Sequence, residues 1–205
     1  MKDLGLLNYF LGLEVTSNSM GYYLSQFKYA NDLVSRARLT DNKIGLSPPE
    51  VNVKLSSLEG SPLTDATLYR QLVRSLVYLT VTRPDIAYTV HSVSQFMATP
   101  RTTHYTALIR VLHYAKGTLF KGLHFLFNSS LELKAYFDSE WVKDLVDRFS
   151  TTSYGFFLGD SLISWRSKKQ TLVARSSTEA EYQALIDTAS ELIWLRWILE
   201  DLGAH

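Results

Sequence analysis

The chain has 205 residues, of which 46% are hydrophobic and 20% charged, with 21 Lys and Arg against 20 Asp and Glu. This composition is typical of one or two folded domains, and it excludes a disordered chain and a polybasic nucleic-acid arm. The absence of cysteine excludes disulfides, cysteine-ligated metals and thiol nucleophiles. Because we find neither a signal peptide nor an apolar run of the ~18 residues that span a membrane, we expect an intracellular protein of the cytoplasm or nucleus, without membrane contact.

The N-terminal part begins with a predicted β-hairpin. β-Rich segments within residues 8–26 flank the turn residues 18–21. Apolar residues on one helical stripe then predict a helix over 26–38. Residues 41–64 are rich in Gly, Pro and Ser without a clear period, and they predict a long exposed linker.

Three helices are predicted next, from apolar residues at helical spacing. The first covers leucines from 68 to 79. The second covers residues 86–97 and follows Pro84, a residue that suits the first turn of a helix. The third covers 108–115 and stops near Gly117. These helices predict a small helical unit.

After Gly122 the pattern becomes that of strands. Apolar and polar residues alternate over 131–138, and two further strand-like segments flank a two-residue hairpin turn at 159–160. We also expect a strand over 170–175. Together with the first half, this predicts an α+β fold with domains at 1–122 and 123–205.

A long helix closes the chain. We expect Ser177 and Thr178 to cap it and Gly203 to follow its end near Leu202. A helix that follows strands gives the second domain an α/β character.

Two acidic residues are candidates for chemistry: Asp138 at a strand end and Glu181 at the start of the last helix. Carboxylates from separate elements can converge on Mg²⁺. At ~100° per residue, Glu181 shares the stripe of Leu185 and Leu192 and should face the sheet, whereas Glu179 should face water. The structural alternatives are a turn former at Asp138 and favourable helix-dipole interactions for acids in a first helical turn.

Basic residues flank the third strand of the second domain and aromatic residues lie nearby in the sequence, a combination that would suit a nucleic-acid backbone. The alternative is a solvated hairpin edge whose lysines prevent pairing with other strands. The basic residues in question are Arg166, Lys168, Lys169 and Arg175. The five histidines lack metal-ligand spacing, and we find no nucleophile elbow, P-loop or dinucleotide motif, so we expect no small-molecule substrate.

The sequence resembles the C-terminal part of the Pol polyprotein of copia-type long-terminal-repeat retrotransposons, most closely those of plants. Motifs that carry the resemblance run from one end of the chain to the other. They include MKDLGLLNYFLGLEV, YRQLVRSLVYLTVTRPDIAYTVHSVSQFM, HYTALIRVLHYAKGT, LKAYFDSEW, STTSYGFFLGDSLISWRSKKQTLVARSSTEAEYQAL and ASELIWLRWIL.

The resemblance implies a function for each half. Residues up to about 120 resemble the end of a reverse transcriptase, with Phe10 and Gly12 in the hairpin that grips the primer and with helices like those of the thumb and connection. The rest resembles the first part of a ribonuclease H domain, an Mg²⁺-dependent fold that cuts the RNA strand of RNA–DNA hybrids. Asp138 and Glu181 match its first aspartate and its helical glutamate. The implied partners are RNA–DNA hybrid or DNA and the remainder of Pol.

Three hypotheses follow from the resemblance. The family's third carboxylate lies in an Asp-Asn motif beyond this helix, and the polymerase aspartates lie upstream of Met1. We therefore expect a Pol-derived fragment with negligible nuclease activity, no polymerase activity and a marginally stable second domain. The alternatives are a ribonuclease H completed by downstream sequence or a partner chain, and a non-enzymatic nucleic-acid-binding module.

Overall fold

The computed structural model describes residues 7–39, 42–47, 55–141 and 149–203. Within these ranges the chain forms five helices and two antiparallel or mixed sheets, which confirms the α+β class. It divides into two compact units, residues 1–124 and 125–205. No helix in the described ranges combines the length and apolarity needed to cross a bilayer.

The first unit contains a four-stranded sheet with its strands in chain order. They are β1 (Tyr9–Phe10), β2 (Leu13–Ser17), β3 (Gly21–Ser25) and β4 (Leu123–Leu126). The predicted turn between β2 and β3 is confirmed, and the side-chain oxygen of Asn18 accepts hydrogen bonds from the backbone N–H groups of Met20 and Gly21. β1 and β4 are not predicted, since segments of two and four residues carry no readable period.

Four helices of the first unit enclose one hydrophobic core, in agreement with the helical predictions. They are α1 (Phe27–Arg36), α2 (Thr67–Leu79), α3 (Pro84–Ser94) and α4 (Thr102–Gly117). The apolar stripes are buried as their spacing predicts, with Leu76, Ile86 and Leu108 fully inaccessible to solvent. Pro84 occupies the first turn of α3.

The segment predicted as a long exposed linker is mostly exposed where the structure describes it, but hydrogen bonds also fasten it to the N-terminal end of α4. His104 of α4 lies within 3.0 Å of the Ser56 carbonyl oxygen, and the Arg101 side chain donates to the carbonyl of Gly60 at 2.7 Å. Residues 48–54 lie outside the described residues. The composition of the segment could not predict these contacts, because backbone carbonyl groups can accept hydrogen bonds from a neighbouring helix whatever side chains their residues carry.

A buried charged network joins the start of α3 to the end of α4. The Arg83 side chain is 2% exposed and forms a bidentate pair with Asp85 at 2.8 and 2.9 Å. It also donates to the carbonyl and hydroxyl of Thr118, while the hydroxyl of Tyr114 donates to Asp85 at 2.8 Å. Burial acts to raise the pKa of Asp85, but its hydrogen bond to Arg83 and the charge of Arg83 outweigh burial and hold the pKa below its usual value.

The second unit is a three-stranded antiparallel sheet covered by one long helix. Its elements are β5 (Leu133–Glu140), β6 (Thr151–Leu158), β7 (Ser161–Lys169) and α5 (Ser177–Asp201). The predicted two-residue turn is confirmed, with Leu158 opposite Ser161 and Gly159 at a φ of +58°. A side chain at Gly159 would collide with the hydroxyl of Ser129, so glycine is required there for space as well as conformation.

The helix rests on the sheet through small residues. Ala180, Ala184 and Thr188 are buried, and Leu195 packs with Tyr154 and Phe156 of β6. The strand predicted over 170–175 is wrong, because residues from Gln170 to the helix form bends and irregular chain. In the described residues this segment pairs with no strand, and the side chain and backbone of Gln170 instead bond to Thr152, Ala180 and Ser150.

Apolar side chains remain uncovered on the second unit. Ile193, Trp194 and Trp197 of α5 are 50%, 52% and 61% exposed. In the described residues, no strand pairs with the free edge of β5. An open strand edge beside uncovered aromatic surface favours association with other chains.

Candidate carboxylate site

Strand β5 positions the first candidate residue. Asp138 lies near its C-terminal end, opposite Ser153 of β6, and its side chain is exposed. The next residue, Ser139, is opposite Thr152. A carboxylate near a strand end that has only one neighbouring strand remains accessible to a ligand.

The N-terminal part of α5 positions the second candidate residue. The hydroxyl of Ser176 accepts a hydrogen bond from the N–H of Glu179 at 3.1 Å, which makes Ser176 the cap in place of the predicted Ser177 and Thr178. The carboxylate of Glu179 in turn accepts a bond from the N–H of Arg175 at 2.7 Å. Glu181 takes no part in this capping and is exposed.

The predicted burial of the two glutamates is wrong. Glu179 is half-buried in the capping contact, whereas Glu181 is exposed, and Leu185 on the same stripe is 43% exposed. The buried ridge passes instead through Ala180 and Ala184, whose small side chains let the helix approach the sheet closely. A prediction guided by leucines therefore placed the buried face to one side of its true position.

Asp138 and Glu181 nevertheless line the same open cleft, of about 440 Å³. Its other lining residues are Phe137, Ser139, Thr178, Tyr182 and Leu185. The Ser139 hydroxyl oxygen is inaccessible to solvent and has no hydrogen-bond partner among the described residues. The cleft thus brings together two carboxylate residues and Thr178, and carboxylate and hydroxyl oxygens are the hard donors that Mg²⁺ prefers.

These donors fit a divalent cation in kind, but the described residues supply few of them. In the ranges that the structure describes, no three His, Asp or Glu side chains come close enough to hold a metal ion together. A pair of ions needs more acidic oxygens than two carboxylates provide. Among the described residues, Asp138 and Glu181 would therefore supply only part of the ligand set that such a pair of ions needs.

The predicted basic surface is divided by the strand register. Arg166 and Lys168 lie opposite Tyr154 and Thr152, whereas Lys169 lies opposite Thr151 and points to the other face of the sheet. Tyr154 hydrogen-bonds to Arg166 and to Glu191 of α5. Burial raises the pKa of Tyr154, and the hydrogen bond from Arg166 partly opposes that rise.

Arg175 lies apart from these three, in the exposed loop before α5. The structure thus brings Arg166 and Lys168 to one face and separates Lys169 and Arg175 from them. Contact of any of the four with nucleic acid stays a prediction.

The N-terminal hairpin carries the other two predicted residues. Phe10 and Leu13 are opposite each other, so Leu11 and Gly12 form a two-residue turn, with φ values of +48° and +80°. Positive φ at both positions defines a type I′ turn, which favours Asn-Gly and rarely accepts leucine. The side chains of Phe10 and Leu11 are 56% and 71% exposed.

Two side chains that the sequence does not single out, those of Tyr78 and Lys28, contact residues of this hairpin. Tyr78 of α2 donates its hydroxyl hydrogen bond to the carbonyl of Leu11. The ammonium group of Lys28 lies 5.6 Å from the ring centroid of Tyr9. Gly12 was the only residue whose type indicated a turn here. Neither the positive φ of Leu11 nor its hydrogen bond to the distant Tyr78 can be recognised from the local sequence.

The near-neutral net charge conceals a division between the units. Residues 1–124 hold 13 Lys and Arg against eight Asp and Glu, a net charge of +5, whereas residues 125–205 hold eight against 12, a net charge of −4. Basic character is therefore concentrated in the first unit, away from the 166–175 segment.

Comparison with known proteins gives relatives that match nearly the whole of this chain. The chain is 44% identical over 203 residues to the Retrovirus-related Pol polyprotein from transposon RE1 of Arabidopsis thaliana, covering 99% of this chain and 14% of that protein. It is 44% identical to the uncharacterized mitochondrial protein AtMg00810 of the same plant, covering 95% of this chain and 80% of that protein. The Pol polyprotein from transposon TNT 1-94 of Nicotiana tabacum is 37% identical over the whole chain, which corresponds to 16% of that polyprotein.

The chain therefore belongs to the family of copia-type retrotransposon Pol polyproteins, as the motifs predicted. It spans about one seventh of the length of the RE1 polyprotein. No protein-family model matches it, and no solved structure matches it significantly.

Proposed function

We propose that residues up to about 120 are the C-terminal part of a reverse transcriptase and that the following unit is the first part of a ribonuclease H-like domain. In this proposal, Asp138 and Glu181 are two of the carboxylates of its Mg²⁺ site. The supporting observation is that these two residues, from the first strand and the helix of a β-β-β-α unit, line one cleft.

The chemistry of the cleft follows from its oxygens. Asp138 and Glu181 would hold the cation, which when bound supplies Lewis-acid stabilisation of the phosphate oxygens and a more acidic water molecule. Thr178 lines the same space, and its hydroxyl can orient water or a ligand oxygen. Because the described residues bring only two carboxylates to the cleft, we propose that this chain alone does not cut hybrid duplexes.

The test is a cleavage assay on an RNA–DNA hybrid in Mg²⁺ or Mn²⁺, with an Asp138→Asn variant as the matched control. We expect no cleavage by the unmodified chain above the level of the control. Robust cutting that disappears in the control would refute the proposed inactivity and establish the alternative, a ribonuclease H completed by a partner copy or by residues outside the described ranges.

A second assay addresses the role of the two acids. When this segment is part of a whole Pol polypeptide, hybrid cleavage should require both Asp138 and Glu181. Substituting each by its amide should lower cleavage at least 100-fold, since each removes a ligand charge from the metal site. Cleavage unaffected by both substitutions would contradict the assignment of the site.

Nucleic-acid binding without catalysis is a second candidate function, and the charge division favours the first unit as its location. That unit has a net charge of +5 and presents the Phe10–Gly12 hairpin beside the Lys28–Tyr9 contact. Exposed aromatics next to cations suit a nucleic-acid backbone and its bases. The proposal predicts salt-dependent hybrid binding that Lys28→Ala and Phe10→Ala weaken more than Lys168→Ala does. A larger effect of Lys168→Ala would place the surface on β7 instead.

A further inference from the structure

A buried amide lies behind the carboxylate cleft. Gln170, the residue after β7, is 6% exposed, and its Nε2 donates to the hydroxyl of Thr152 at 3.1 Å and to the carbonyl of Ala180 at 2.9 Å. Its backbone N–H also donates to the Ser150 carbonyl at 2.8 Å. Since a carbonyl can only accept, the bond to Ala180 fixes which end of the amide faces the helix.

Each partner of this amide adjoins the position of one candidate ligand. Thr152 is directly opposite Ser139, the residue after Asp138 in β5. Ala180 is the residue before Glu181 in the first turn of α5. One side chain therefore connects the strand pair that carries Asp138 to the helical turn that carries Glu181.

The amide is an unfavourable choice if its role is packing alone. The Oε1 atom of Gln170 is buried and has no hydrogen-bond partner among the described residues. An apolar side chain of the same length would fill the space without leaving a buried acceptor unpaired. The amide restricts the position of the helix on the sheet, because two hydrogen bonds fix that position more narrowly than apolar contact does.

We propose that Gln170 is a positioning residue that sets the spacing of Asp138 and Glu181 by tying Thr152 to Ala180. This inference rests on the proposed role of the two acids as metal ligands. The spacing itself can be measured without any metal or activity, so the two ideas are tested separately.

The absence of cysteine in the natural chain allows a direct measurement. In the full chain carrying Asp138→Cys and Glu181→Cys, the two introduced thiols are the only ones, and a short rigid bismaleimide reports how often they reach bridging distance. Adding Gln170→Met, which keeps the length of the side chain but removes its donors, should slow bridging about tenfold, because reaction between groups in one molecule depends steeply on their placement.

Thr188→Val is the matched control. Thr188 is also buried on α5, but its hydroxyl bonds within the helix, to the Ala184 carbonyl at 2.7 Å. The bridging rate of this control should stay within twofold of the parent, with circular dichroism confirming that every variant melts cooperatively. A folded Gln170→Met chain that bridges as fast as the parent overturns the proposal, and so does an equal slowing by Thr188→Val.

If Gln170→Met does not fold, Thr152→Val takes its place, because it deletes only one of the two bonds. Slower bridging then supports the proposal, and an unchanged rate overturns it. A separate Mn²⁺ titration of the natural chain and of Asp138→Asn tests the metal site. If both bind Mn²⁺ equally, the proposed metal role fails, while the bridging rates still decide the role of Gln170.

Discussion

The hydroxyl of Tyr78 in α2 holds the carbonyl of Leu11, at the tip of the β1–β2 turn. This bond fixes an exposed loop tip whose first residue has the left-handed conformation that leucine disfavours. A second tyrosine supports the contact, since the ring of Tyr29 meets that of Tyr78 edge-on at 5.0 Å between centroids. The turn is thus anchored from outside rather than formed by its own sequence.

Removing this anchor should loosen the hairpin. Tyr78→Phe keeps the ring contact but deletes the hydroxyl, and we expect a loss of about 1 kcal/mol in the free energy of unfolding. Hydrogen exchange should become faster in residues 9–15 and stay unchanged in α4. Tyr9→Phe, which leaves the ring beneath Lys28, is the control and should change neither measurement.

Replacing the strained residue should stabilise the turn. Leu11→Asn creates the Asn-Gly pair that type I′ turns prefer, and the exposed leucine side chain gives up little packing. We expect a gain of roughly 0.5–1 kcal/mol in urea unfolding. If hybrid binding nevertheless weakens in this variant, the leucine side chain itself contributes to that binding.

Acid should destabilise the first unit through His104. The ring is fully buried, and its Nδ1 accepts the N–H of Arg101 at 3.0 Å, so the neutral ring carries its hydrogen on Nε2, facing the Ser56 carbonyl. Burial lowers the pKa of His104, an effect that the Ser56 hydrogen bond partly opposes. The folded state therefore binds fewer protons than the unfolded state. Stability is complete above about pH 6.5 and declines as the pH falls through the lower folded pKa.

The expected result is a fall in melting temperature below about pH 6.5. His104→Asn, whose side-chain oxygen can still accept the Arg101 N–H, should be less stable at neutral pH but should lose this slope. A slope that persists in the variant would assign the acid sensitivity to another group. Asp85, whose pKa is lowered from 3.8, acts only at lower pH, so the two effects are separable.

The Arg83–Asp85 pair should be among the most sensitive positions of the first unit. Asp85→Asn leaves the buried guanidinium of Arg83 without a counter-charge, and we expect a loss of roughly 3 kcal/mol in chemical denaturation. Asp32→Asn, on the exposed face of α1, is the control and should stay within about 0.5 kcal/mol of the natural chain. Equal stability of the two variants would show that the buried guanidinium of Arg83 does not depend on the charge of Asp85.

Uncovered aromatic surface on α5 should cause self-association. Replacing Ile193 and Trp197 by Lys should reduce the concentration-dependent mass seen in analytical ultracentrifugation, with little change in melting temperature, because both side chains are at least half exposed. Leu58→Lys, at an isolated apolar position that is 74% exposed, should leave the association unchanged. Persistent association in the α5 variant would direct attention to the open edge of β5.

Sequence patterns predicted the elements whose side chains repeat over several turns or strand residues. The stripes of α2 and α4, the stop of α5 and the Gly159 turn all follow from local chemistry, whereas the cap of α5 was predicted at the wrong residues. The patterns failed where a distant group decides the outcome. Leu11 accepts positive φ because Tyr78 holds it, and the 55–64 segment is ordered by hydrogen bonds to α4.

The residues of the candidate site could be predicted from the sequence, but the orientation of α5 and the contacts behind the site could not. Motif resemblance selected Asp138 and Glu181, and the structure places both on one cleft. The orientation of α5 was not predictable from leucine spacing, because alanines form its buried ridge. Gln170 gave no signal either, since a glutamine after a basic strand end looks like any exposed loop residue until both of its partners are known.

Residues 1–124 and 125–205 carry opposite net charges, so the two units should interact differently with charged ligands and with the ions of the solution. A polyanion is attracted to the first unit and repelled by the second, and sodium chloride weakens both forces. Divalent cations screen both forces as well, and they should in addition gather around the excess carboxylates of the second unit and lower its repulsion of an approaching duplex. Monovalent salt and magnesium should therefore both reduce the preference of a polyanion for the first unit.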